Sequence, residues 1–140
     1  MKSKSIGMFS LLACFVMICG PVFAHHGSAV SYTIDLNKLV TMKGTVTSFE
    51  WANPHVYLMY DVKDEKGNVV HWGAETHAPS VLSDEDGWTR NTFKPGDEIT
   101  ITVFPSRVGA PRGLIAKIVL NDKVLIDDAK VRIRTPDAKN

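Results

Sequence analysis

Residues 40–77 read VTMKGTVTSFEWANPHVYLMYDVKDEKGNVVHWGAETH, and this stretch decides the fold. Val40, Met42, Gly44 and Val46 alternate with Thr41, Lys43, Thr45 and Thr47, the period-two pattern of a strand rich in β-branched residues. The apolar parity then slips to Phe49 and Trp51, which predicts a bulge and with it a sharp bend in the first strand. Asn53-Pro54-His55 shapes the turn that follows. A second strand is expected over 55–62, with Val56, Leu58, Tyr60 and Val62 on one face. The run Asp64-Glu65-Lys66-Gly67-Asn68 suits a type I turn closed by a left-handed glycine. A third strand over 69–76 then points Val70, Trp72 and Ala74 inward.

Beyond this hairpin, residues 78–86 carry Pro79 near the start and are followed by Gly87, the asymmetry of a short helix. Lys94-Pro95-Gly96-Asp97 is a turn into a strand over 98–104. A glycine- and proline-rich loop at 108–113 precedes a fifth strand over 114–120, and Asn121-Asp122 turns into a short sixth over 124–126. Three strands, a helix and two strands, the first strand kinked, predict an all-β, OB-fold-like five-stranded barrel with one short helix between strands 3 and 4. A β-sandwich would need more strands.

The N-terminus reads as an export signal. Lys2 and Lys4 precede an apolar run over 8–19 interrupted only by Ser10, Gly20-Pro21 breaks it, and Val22-Phe23-Ala24 places small residues at −3 and −1 of a cleavage site. Such a run is too short to span a bilayer. The expected organisation is a signal peptide (1–24), a polar lead-in segment (25–39), the barrel (40–126) and a polar C-terminal tail (127–140). The product is then periplasmic or secreted, begins at His25 and has no transmembrane segment; lipoprotein processing at Cys14 is the alternative route. Cleavage removes both cysteines, and with them any disulfide framework or thiolate chemistry. It also removes two lysines and no acid, so the net charge of +1 becomes −1. That balance argues against nucleic acid as a partner, since such proteins usually show a basic stripe.

His25-His26-Gly27, the segment over 40–46, Glu50-Trp51-Ala52-Asn53-Pro54-His55, His71-Trp72-Gly73-Ala74-Glu75, Gly87-Trp88-Thr89-Arg90 and Lys94-Pro95-Gly96-Asp97 together resemble a family of small exported bacterial proteins catalogued as a domain of unknown function. The resemblance covers nearly the whole mature chain, and Trp-x-Asn-Pro-His is its most specific element. It implies export and a small β-barrel, and it carries no activity.

With Glu65-Lys66-Gly67 as the hairpin loop, Val62 faces Val70, Tyr60 faces Trp72, Leu58 faces Ala74 and Val56 faces Thr76 in the core. The opposite parity pairs Asp61 with His71, Tyr57 with Glu75, and His55 with His77. The outer face of strands 2 and 3, where OB-folds dock ligands, would therefore present His55, Tyr57, Asp61, His71 and Glu75, with Arg107 and Arg112 on the adjacent loop. This favours non-enzymatic binding of a small ligand or a periplasmic protein. The alternative is a copper or zinc site built from His25, His26, His55, Glu75 and His77, with the free α-amine of His25 closing a chelate ring. No Gly-x-Ser-x-Gly elbow or phosphate-cradling glycine loop is present, and Trp51 and Trp88 read as packing residues.

Overall fold

The computed structural model describes residues 31–128. The strands are β1 (Val40–Glu50), β2 (Tyr57–Lys63), β3 (Val69–Glu75), β4 (Glu98–Pro105), β5 (Arg112–Leu120) and β6 (Lys123–Asp127), and the helix α1 (Pro79–Asp86) lies between β3 and β4. They form one sheet in the order β3-β2-β1-β4-β5-β6. A short parallel pairing of Gly73–Glu75 in β3 with Arg112–Leu114 in β5 closes the first five strands into an OB-fold barrel, and β6 adds to the edge of β5. No described helix is long and apolar enough to cross a membrane.

The slipped parity of β1 has the expected consequence. Its first half, Val40–Thr45, pairs with β4, and its second half pairs with β2 across a register shift between Val46 and Ser48. One long strand can serve two sheet directions only if it bends, and the bulge supplies the bend. Gly44 sits beside it because a Cβ there would lie 2.8 Å from the Tyr60 ring.

Local chemistry sets the turns. The Asp64 carboxylate accepts hydrogen bonds from the backbone N–H groups of Lys66 and Asn68 and from the Asn68 amide, while Gly67 adopts φ +81°. These bonds hold the Asp64 carboxyl below its ordinary range. A depressed native value stabilises the fold above the ordinary Asp range, and this contribution drains away as pH falls through the native value. Asp64→Asn is therefore expected to lower Tm by about a few degrees at neutral pH. Thermal melts from neutral to strongly acidic pH should show the gap to wild type closing toward the acid end.

The barrel interior holds Val46, Leu58, Tyr60, Ala74, Ile101, Val103, Ile115 and Ile118. Its lower end is plugged by Leu82, the only buried residue of α1, and by an aromatic cluster in which the Phe93 ring centroid lies 5.1 Å from both Phe49 and Trp88. The backbone N–H of Trp88 bonds to the Leu82 carbonyl past the left-handed Gly87, which ends the helix.

The lead-in is not simply polar. Residues 31–39 run along the outside of the barrel: Tyr32 bridges Ser106, and Tyr32, Ile34 and Leu39 cover Phe104, Leu114 and Ala116 in a second small core. The consecutive apolar residues Leu114-Ile115-Ala116 are buried on both faces for this reason. In the same strand a Cβ on Gly113 would stand 2.5 Å from Val103 Cβ, itself fully buried. Gly113→Ala is expected to cost about 1–3 kcal/mol through overpacking. Denaturant titration should show the cost, and a less-than-additive double variant with Val103→Ala would confirm its source.

Candidate functional site

The β2–β3 hairpin forms in the register expected from its turn: Tyr57 faces Glu75, Leu58 faces Ala74, Tyr60 faces Trp72, Asp61 faces His71 and Val62 faces Val70. Leu58, Tyr60 and Ala74 are buried in the barrel. The outer parity carries Tyr57, Met59, Asp61, His71, Gly73 and Glu75.

This face is less open than the sequence suggests. Glu75 is only 9% exposed. Its Oε2 accepts a hydrogen bond of 2.7 Å from the Tyr57 hydroxyl, and its Oε1 lies 4.0 Å from His55 Nδ1. The lead-in reaches this end of the sheet, where the Glu75 charge acts on the Tyr32 phenol. The bond to Glu75, followed by burial, pushes the Tyr57 phenol up to about 12, with Arg112 opposing. Burial and then the Glu75 charge raise Tyr32 further, and burial alone raises Tyr60. The Tyr60 hydroxyl is buried with no hydrogen-bond partner among the described residues.

At the other end of the face, His71 Nδ1 meets Asp61 Oδ1 at 2.6 Å, on a histidine side chain that is 83% exposed. Arg107 does not line the face. Its Nε donates to the Tyr32 carbonyl at 3.0 Å, so it fastens the lead-in to the loop after β4.

Among the described residues, His55, Glu75 and His77 do not come together as one metal cluster. Beyond Glu75 the hairpin slips: the Val56 N–H bonds to the His77 carbonyl while the Val56 carbonyl receives the Thr76 N–H, so two residues stand opposite one. The His77 side chain then meets Asp128 at 2.6 Å, not His55 and Glu75. Among the described residues no group of three histidine or carboxylate side chains could hold a metal ion. His25 and His26 lie outside the described residues.

What the face does contain is a groove of about 520 Å³, lined by Tyr32, Thr47, Ser48, Tyr57, Met59, Tyr60, His71, Trp72, Gly73, Pro111 and Arg112. Tyr57, His71 and Arg112 were candidates from sequence. Met59 and Gly73 were not, although they share the parity of Tyr57 and Asp61 and pair with each other. Tyr32 had no local signal, because only the tertiary path of the lead-in brings it there.

Several solved structures resemble the fold. The N-terminal domain of a PriB protein from Thermoanaerobacter tencongensis superimposes with a TM-score of 0.44 at 14% identity, covering 62% of this chain and 99% of that one. A mitochondrial single-stranded DNA-binding protein of S. cerevisiae gives 0.39 at 8% identity, with 60% and 93% covered. PriB from Ralstonia solanacearum gives 0.34 at 15% identity, with 60% and 98% covered. No curated protein matches the chain significantly. Contrary to the expectation from net charge, nucleic acid is not excluded as a partner: a solved structure similar to this fold is named as a single-stranded DNA-binding protein, and local cations rather than the whole-chain balance make phosphate contacts. Residues 13–116 match a family of unknown function, DUF6152, and the chain, a small β-barrel domain, belongs to that family.

Proposed function

We propose that this protein is an exported, non-enzymatic binding module that takes a small ligand on the outer face of β2 and β3. The groove on that face supports the reading. It is concave, it draws on β1, β2, β3, the β4–β5 loop and the lead-in, and its lining mixes aromatic rings with a few polar groups. A volume of about 520 Å³ falls in the range of small-molecule sites. Export rests on the charged, apolar and small-residue regions of residues 1–24. The non-enzymatic part rests on the absence from the sequence of a nucleophile elbow or phosphate loop.

Two measurements test this. Mass spectrometry of protein recovered from the periplasm should find His25 as the first residue; a retained leader would remove the export part. A fragment library followed by amide chemical shifts should perturb residues 57–60, 71–73 and 111–112 together. Hits confined to other surfaces would overturn the binding part.

A further inference from the structure

We infer that the groove selects a small organic anion, whose apolar body lies over Gly73 and Met59 and whose acidic group is held by Arg112. The inference deepens the binding reading above and rests on it.

Strand register supplies the geometry. Ser48 pairs with Met59, Met59 with Gly73 and Gly73 with Arg112, so one row crosses four strands on the outside of the barrel. Gly73 is the floor at the middle of this row. Its φ is not in the left-handed region, so the backbone does not call for glycine there. Packing does not call for it either. A Cβ would meet only the Met59 side chain, at 3.0 Å from Sδ and 3.6 Å from Cε, and a thioether end moves readily. Gly44 and Gly113 differ, since a Cβ at either would strike the buried Tyr60 ring or Val103. What glycine does at position 73 is leave the groove open.

Charge then selects the occupant. The lining holds one permanent cation, Arg112, one histidine, and no Asp or Glu. The two acids of the same face are already engaged, Glu75 by Tyr57 and Asp61 by His71. Arg112 itself has no ion-pair partner among the described residues. Its backbone is fixed, with its carbonyl accepting from Ser106 N–H and its own N–H bonded to the Ala110 carbonyl. A guanidinium placed this way beside an apolar floor matches a planar carboxylate, which it can bind through two parallel hydrogen bonds.

The test uses benzoate, benzamide and an oligothymidylate as probes of the mature chain, read by amide chemical shifts and calorimetry. Benzoate should perturb Met59, Gly73 and Arg112, and benzamide should bind roughly tenfold more weakly. Arg112→Gln, an exposed change, should erase that preference. Gly73→Leu should abolish benzoate binding with Tm maintained, and Gly73→Ala should weaken it by a smaller factor. Equal binding of benzoate and benzamide overturns the inference, as does benzoate binding that survives in Arg112→Gln and Gly73→Leu alike. Tighter binding of the oligothymidylate at the same amides overturns the small-ligand form. Neutral fragments that map to the groove with no preference for anions sink this inference and leave the binding reading standing; if no fragment maps there, both fall.

Discussion

Replacing Trp88 with alanine is expected to cost about 3–5 kcal/mol, a large share of the roughly 5–15 kcal/mol available to a domain of this size. Trp88 is 2% exposed and seals the end of the barrel that α1 also covers. It packs edge-on against Phe49 at 6.2 Å and Phe93 at 5.1 Å between ring centroids, and its indole N–H reaches the Leu125 carbonyl at 3.3 Å. Truncation would open a void among aromatic side chains that are anchored on β1 and the α1–β4 connection, which have little freedom to collapse into it. Trp88→Phe keeps most of the apolar volume and should recover most of the loss, leaving about 1 kcal/mol for the missing hydrogen bond. Urea titrations of the two variants separate these terms. A cost below about 1 kcal/mol for alanine would mean that the cluster repacks and does not close the barrel.

The second large effect lies in alkali. All three tyrosines of the chain are raised above the ordinary value of 10.0: Tyr57 to about 12 by its bond to Glu75, Tyr32 by burial and then the Glu75 charge, and Tyr60 by burial alone. A phenol whose native value exceeds its unfolded value contributes stability that is complete below about pH 10 and is lost as pH climbs toward the native value. All three shifts act in the same direction, so the fold is expected to lose stability as the phenols ionise in strong alkali. Tyrosinate absorbance should therefore stay low past pH 10 and rise together with loss of the β circular dichroism signal. Phenolates that appear reversibly near pH 10 with the β signal intact would refute this. Tyr57→Phe should lower stability at neutral pH, because it takes the 2.7 Å donor away from the buried Glu75 carboxylate, while making the loss of stability with rising pH less steep.

Near neutral pH the same contacts bear on the groove. Tyr57 is a donor to Glu75 throughout the physiological range, so the acid is engaged outside the groove lining, whose one permanent cation is Arg112. The lead-in contributes through Tyr32, held by Arg107 from the loop after β4. Arg107, which is not itself a lining residue, is thus a positioning residue for the Tyr32 wall.

The sequence alone determined the strands, their order along the chain, the β1 bulge and the hairpin register between the turn and the Tyr57–Glu75 pair, because each rests on local information. Alternation of Val40 to Val46 followed by the slip to Phe49, and the Asp64–Asn68 turn with its left-handed Gly67, set dihedral angles and pairing within a few residues. From that register the outward set of β2 and β3 could be read directly. Tertiary structure decided the rest. The proximity of Glu75 to Tyr32, 43 positions earlier in the chain, depends on the path of the lead-in, and the capture of His77 by Asp128 depends on where β6 ends. The groove owes its Arg112 wall to a parallel β3–β5 pairing that joins the two ends of the barrel. Such contacts follow from how the closed sheet brings distant segments side by side, and no periodicity within either segment encodes them.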